Sequence, residues 1–307
     1  MSEKTKEELE KEVILGYLIN YLNIEKKYPL LPGVRNTKNV AGFLGLTPKE
    51  LADARTSLDE QAEQAAEELL KDEEFQTYTT RLPFKEGDLI VAVGDSSTDD
   101  LMGWFEIMRH VLEISRPELE LRFKNAAVYQ DTSFDILRRL NRAVVDENAD
   151  WLFASVGTYD AMRLGALPDR NFVSITEYWE NLNSIEKLME DISDNPMVWI
   201  TPVPVQTEEM QKFALFEGTV HNTDLNQYRE VIAGRKGFIV DPKGVRFGNP
   251  PEHWNYINDG VNASIAGHME TVKETLKTLY SRKAVKSRNL DYGVEDDFLD
   301  EFGIDND

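Results

Sequence analysis

In the stretch Asp88-Leu89-Ile90-Val91-Ala92-Val93-Gly94-Asp95-Ser96-Ser97, an apolar run stops abruptly at Gly94-Asp95-Ser96. Thr98-Asp99-Asp100 follows, and then Leu101, Met102, Trp104, Phe105 and Met108 at helical spacing. A buried strand that turns sharply into a helix puts the turn residue at the carboxyl edge of a sheet. There the free N–H groups and the dipole of the helix favour negative charge. A serine in that place is a candidate nucleophile.

Downstream of Gly87 the pattern alternates. Apolar runs at 88–93, 125–129, 151–156, 197–201 and 237–241 read as strands. Segments 98–114, 133–146, 176–193, 207–216, 224–233 and 263–282 read as helices. This alternation predicts a three-layer α/β/α fold with a five-stranded parallel sheet, whose site lies beyond the carboxyl ends of the strands. Residues 1–82 have a different texture. Val13, Ile14, Tyr17, Leu18, Tyr21 and Leu22 recur at helical spacing within 5–25. Thr47-Pro48 then reads as a cap and first residue of an Ala- and Glu-rich helix reaching about residue 74. The expected organisation is a helical N-terminal extension (1–82), an α/β domain (83–287) and an acidic C-terminal tail (288–307).

Composition narrows the partners. The 307 residues carry a net charge of −22, which repels nucleic acid and anionic membrane surfaces. The charge reads as a well-solvated acidic surface. There is no cysteine, and the four histidines are scattered, so no metal or other cofactor is expected. The start, Met-Ser-Glu-Lys-Thr-Lys-Glu-Glu, has no apolar signal core, and no run approaches the roughly 20 apolar residues of a membrane span. A cytoplasmic protein acting on a small molecule is the expectation, with the N-terminal helices as a candidate homodimer surface.

The order of segments over roughly 87–282 resembles the SGNH, or GDSL, family of lipases and esterases. Gly94-Asp95-Ser96 matches the turn that supplies the nucleophile in that family. The second block supplies an oxyanion-binding glycine, whose place here is taken by Gln130. The third, normally Gly-x-Asn-Asp, reads Gly157-Thr158-Tyr159-Asp160. The last, normally Asp-x-x-His with Gly-His in the next helix, reads Asp259-Gly260-Val261-Asn262 followed by Gly267-His268. The resemblance thus implies Ser96 as nucleophile and Asp259 as the orienting carboxylate. Gln130, Tyr159 and Asn262 fall at the oxyanion hole or pocket, and Gly94, Asp95, Gly157, Asp160 and His268 at structural motif positions.

Asn262 stands where the resemblance implies the catalytic histidine. A serine hydroxyl needs a base, and an amide cannot take a proton at neutral pH. Loss of the base costs on the order of 10⁴- to 10⁶-fold in serine proteases. His253, in Pro250-Pro251-Glu252-His253-Trp254, is the first candidate replacement, then His221, then His268; Asp259 could itself act as a weak base. Lost backbone donors are a smaller concern, because the N–H groups of Ser96 and Gln130 persist whatever the side chain. Two readings follow: a hydrolase acting on a small acyl or acetyl ester through Ser96, or a catalytically inactive protein of this fold that binds a carbohydrate, ester or protein partner. Trp104, Tyr159, Met162, Phe172, Phe213, Phe247 and Trp254 lie in segments that could wall a pocket. The spacing Asp95-x-Ser97-x-Asp99 also suits a magnesium turn, but the downstream blocks explain it better.

Overall fold

The computed structural model describes residues 6–213, 215–216, 218–242 and 246–281. The expected acidic tail lies outside them. Five parallel strands form the central sheet: β1 (Leu89–Gly94), β2 (Arg122–Asn125), β3 (Trp151–Ser155), β6 (Val198–Ile200) and β8 (Phe238–Val240), in the order β2-β1-β3-β6-β8. The expected α/β/α architecture is thus present. A second, three-stranded antiparallel sheet was not foreseen. It pairs β4 (Arg163–Leu164) with β5 (Leu167–Asn171) and β7 (Gly218–Thr219).

Alternation along β1 sorts its side chains onto two faces. Leu89, Val91 and Val93 join a core with Leu140, Leu182 and Val231, from the helices α8 (Ser133–Leu140), α9 (Ile175–Ile192) and α11 (Asn222–Ala233). Ile90 and Ala92 join the opposite core with Trp104, Met108 and Leu276, from α7 (Trp104–Ser115) and α12 (Ile265–Ser281). A strand buried on both faces must be apolar throughout, which is why residues 89–93 read so clearly.

The N-terminal segment comprises α1 (Lys6–Tyr21), α2 (Ile24–Lys27), α3 (Thr37–Phe43), α4 (Pro48–Leu69) and α5 (Glu73–Thr79). Thr47 caps α4 as expected, through a reciprocal capping box with Glu50. The helix ends at Leu69 rather than near 74, because Asp72 captures the N–H groups of Glu74 and Phe75 and starts α5. Helix α4 lies against α7, and α5 against α12. Ala62, Ala66, Leu69 and Phe75 share the same apolar core as β1, so these helices complete one outer layer of the sandwich.

Other elements also differ from expectation: the helix expected at 207–216 is a single turn, α10 (Thr207–Met210), and that expected at 133–146 is α8 followed by a π-helical turn, Asn141–Val145. Strand β2 covers 122–125 rather than 125–129. It is an edge strand, so Arg122 and Lys124 can face solvent, and the more apolar run 126–128 lies just beyond it. That run still follows β1, with Ala126 N–H donating to Ala92 O at 2.8 Å and Val128 N–H to Gly94 O at 3.2 Å. The helix expected at 98–114 is two: α6 (Ser96–Asp99), then a break, then α7 with Gly103 at its cap. In that break Asp100 turns its carboxylate back to the Met102 N–H at 2.9 Å.

Gly94 is fixed by space. A Cβ there would sit 2.3 Å from Ser155 O and 2.7 Å from Thr98 Oγ1. Gly94→Ala should force β1 and β3 apart and destabilise the chain by about 1–3 kcal/mol, measured by urea unfolding. An unchanged midpoint would mean that the turn can relax without the glycine.

Candidate active site

Asp95 ends the strand and caps α6, accepting from Ser97 N–H at 3.1 Å. Ser96 is the first residue of that helix and is fully buried. Its Oγ donates to Tyr159 Oη at 2.9 Å and accepts from the Gln130 N–H at 3.2 Å. Gln130 has φ +59, the left-handed conformation that glycine adopts most freely. The backbone geometry needed to aim that N–H at Ser96 is therefore present without a glycine.

Tyr159 comes from the turn after β3. Gly157, at φ +131, opens this turn, and a Cβ there would meet Tyr178 Oη at 2.9 Å. Asp160 closes it by accepting from Ser133 N–H at 3.0 Å and from Ser133 Oγ, which in turn accepts from Asn181 Nδ2 at 2.9 Å. Burial holds the Tyr159 hydroxyl well above its ordinary pKa, so it is a neutral donor and acceptor beside Ser96.

The fourth block lies in the turn before α12. Asp259 is buried and accepts from the N–H groups of Val261 at 2.9 Å and Asn262 at 2.8 Å, and from Asn262 Nδ2 at 2.6 Å. Asn262 Nδ2 also donates to Tyr17 Oη at 3.0 Å. Tyr17 belongs to α1, which the sequence pattern marks only as an amphipathic helix. Its ring packs with those of Tyr21, Tyr129 and Phe213, and Tyr129 packs in turn on Tyr159.

Helix α1 is tied down behind this aromatic cluster. Asp100 accepts from Asn20 Nδ2 at 3.0 Å and Tyr21 Oη at 2.6 Å, and its Oδ2 lies 3.3 Å from His268 Nε2. Asp99 accepts from Asn23 Nδ2 at 3.0 Å and from the Tyr129 N–H at 2.8 Å, and pairs with Lys26. Apart from His268, these partners were missed by sequence reasoning. The only available signal was the i, i+4 pair Tyr17 and Tyr21, which reads equally well as ordinary core.

The result is a closed site. Beside Asp95, Tyr159 and Asn262 there is a void of only about 10 Å³, the room of one water. Ser96, Tyr159, Gln130, Asn262 and Asp259 are brought into one neighbourhood, while the histidines are not. His253 is exposed in the short helical turn His253–Asn255 and is not among the hydrogen-bond partners of Ser96. His221 sits at the cap of α11, and His110 lies 3.1 Å from Asp59. His268 is buried on α12 against Asp100. Of the aromatics expected along pocket walls, Trp104 and Phe247 are buried in the core, while Phe172 and Trp254 are exposed. Asp95 caps α6 and Asp99 pairs with Lys26; among the described residues no group of three His, Cys, Asp or Glu side chains is arranged to hold a metal.

Solved structures share this architecture. An α/β hydrolase, LAE5, from the metagenome of Lake Arreo, Spain, superposes with a TM-score of 0.52 at 19% identity, covering 65% of this chain and 98% of its own. Axe2, an acetylxylan esterase from Geobacillus stearothermophilus, superposes with a TM-score of 0.50 at 20% identity, covering 67% of this chain and 99% of its own. No family model and no curated protein matches the sequence. The chain thus shares the fold of these two enzymes, with added N-terminal helices. Among the described residues no helix is long and apolar enough to cross a membrane.

Several carboxyls at this edge are displaced in pKa. Burial pushes Asp95 and Asp160 up to about 7 and Asp259 to about 6. Between the unfolded value of 3.8 and these values the folded chain holds protons that the unfolded chain has released. Their effect is a destabilisation that is absent below the unfolded pKa and complete above the folded one. Asp100 has the opposite sign. Burial works against its charge, but His268, Tyr21 and Asn20 outweigh it and hold the pKa down. Its stabilisation is present above the unfolded pKa and is lost as pH falls through the folded one. The melting temperature should therefore rise as pH is lowered from 8 to 5.5, with a flatter slope in Asp95→Asn. A melting temperature that falls over that window would contradict these displacements.

Proposed function

We propose that the protein hydrolyses a small ester through Ser96, at a site that helix α1 covers in the closed form. The observation that carries this reading is the Gln130 N–H bonded to Ser96 Oγ. This N–H, with that of Ser96 itself, would become an oxyanion donor once the serine attacks a carbonyl. Tyr159 Oη, bonded to the same oxygen, is a third donor in reach. The kinship of fold with an α/β hydrolase and an acetylxylan esterase supports the reaction class, and an acyl or acetyl ester is the substrate we favour.

The base is the open position. His253 would need to move in from solvent. Asp259 is already buried in the same cluster, and burial raises its pKa to about 6, nearer the range where a general base is effective. As base it would take the Ser96 proton and return it to the leaving alcohol. Turnover would be slow, because Asn262 Nδ2 and two backbone N–H groups already occupy its oxygens.

One observation favours the second reading, an inactive protein of this fold that binds its partner without turnover. The place that the family pattern gives to a basic imidazole is filled by an amide bonded to both Asp259 and Tyr17.

Hydrolysis of p-nitrophenyl acetate separates the two. The hydrolase reading expects slow wild-type turnover that disappears in Ser96→Ala. It also expects turnover to increase in Tyr17→Ala, which loosens the cover, and by about 10²-fold or more in Asn262→His, which restores a base. Absence of turnover in the wild type and in Tyr17→Ala, with activity only in Asn262→His, would sink the hydrolase reading and support the second.

A further inference from the structure

Away from Ser96, a cleft of about 250 Å³ lies between the segment following α1, the end of β2, and α8 with the turn after it. Lys26, Arg35, Lys124, Arg139 and Arg142 line it, against the two acids Glu25 and Glu147. The chain has 34 basic and 56 acidic residues, so this convergence reverses the sign of the molecule locally.

The pairing inside the cleft is uneven. Lys26 is neutralised by Asp99, Lys124 by Glu147 at 2.9 Å and Arg139 by Asp131. Arg35 and Arg142 make no ion pair with any described residue. Two buried atoms on the cleft residues are also unspent. Arg139 donates through its terminal nitrogens to Ala126 O and Asp131, but its Nε has no partner. Glu25 Oε1 accepts from Arg55 at 3.2 Å, while Oε2 has no partner. A buried polar atom without a partner costs about 1–3 kcal/mol, so an unspent donor and an unspent acceptor mark a place where polar groups belong.

We propose that this cleft binds a small hydroxylated anion, a sugar phosphate or sugar acid. Its charged group would lie against Arg35 and Arg142, where planar guanidinium forks suit phosphate and carboxylate oxygens. The Nε–H of Arg139 would add a donor, and a ligand hydroxyl would donate to Glu25 Oε2, once these side chains turn from their buried positions toward the ligand. The volume suits one sugar ring with one anionic group. The site stands apart from Ser96 and does not depend on the hydrolase reading.

Thermal melts of the full chain test it. Glucose 6-phosphate, glucuronate, inorganic phosphate and uncharged glucose are each titrated at ionic strength matched with sodium chloride. The matching is essential, because salt alone screens the self-repulsion of a chain at −22. The expected result is a saturable rise of about 2–4 °C with glucose 6-phosphate or glucuronate and none with glucose. Which of the two acts identifies the anionic group. Arg35→Gln with Arg142→Gln should weaken that binding about 10-fold or more by isothermal titration calorimetry. Both side chains are exposed and unpaired, so the unliganded melting temperature should stay within about 1 °C of wild type. No saturable rise beyond the salt control, or binding undiminished in the double variant, would overturn the site. An equal rise with inorganic phosphate would overturn the part assigned to the hydroxyl and Glu25.

Discussion

The two adjacent carboxylates Asp99 and Asp100 are the constraint on which the closed form depends. A buried charge is tolerated only when it is paired and hydrogen-bonded, and each of these is satisfied from elements far apart in the chain. Asp100 is met by Asn20 and Tyr21 from α1 and by His268 from α12. Asp99 is met by Asn23 and Lys26 from the N-terminal segment and by the backbone of Tyr129. The break between α6 and α7 turns both side chains toward these partners. One dipeptide thereby fixes the N-terminal segment, the last helix and the loop that carries Gln130.

In the proposed hydrolase the same chemistry would let the cover be reversible. The bonds that hold α1 are polar, and their groups would be hydrated if the helix lifted away. Each such exchange costs far less than the vacuum strength of the bond, about 0.5–1.5 kcal/mol for neutral pairs and about 1.5–3 where a charge takes part. The aromatic packing of Tyr17 and Tyr21 adds an apolar contribution that water does not replace. A hydrolase with this arrangement would spend most of its time closed. Its turnover would then be limited by the opening of α1 as well as by the base.

The parts of the fold legible in the sequence were those governed by local rules. A fully buried parallel strand must be apolar, so β1 and β3 stood out, and the strand-to-helix turn at Gly94-Asp95-Ser96 followed directly. Edge strand β2 was displaced because an edge admits charged residues, and α4 ended early because Asp72 offered a competing cap. At the site, Ser96, Gln130, Tyr159, Asp259 and Asn262 were all named from the order of blocks, and the structure gathers them. Tyr17 could not be named that way. It lies 245 residues from Asn262, and nothing in a helical repeat distinguishes a tyrosine that packs from one that caps a polar site. The uneven charge of the cleft at Arg35 and Arg142 was equally hidden, because it arises from segments far apart in the chain.

Two departures from the SGNH pattern meet at one bond. The chain has added N-terminal helices, and, on the order of blocks that the resemblance implies, an amide where that pattern has a histidine; Asn262 Nδ2 joins the two by donating to Tyr17 Oη at 3.0 Å while also holding Asp259. A neutral imidazole holding Asp259 through one nitrogen would present a basic, unprotonated nitrogen on the other side. That nitrogen could bond Tyr17 only by accepting the phenol's own O–H, which would occupy the lone pair needed to take the Ser96 proton. An amide nitrogen has two N–H groups and can donate to both acceptors at once. Asparagine therefore suits a site closed by Tyr17 and suits poorly a site that must deprotonate Ser96. On that reading the amide and the helix fit each other, since the one bond from Asn262 Nδ2 to Tyr17 Oη joins both to Asp259.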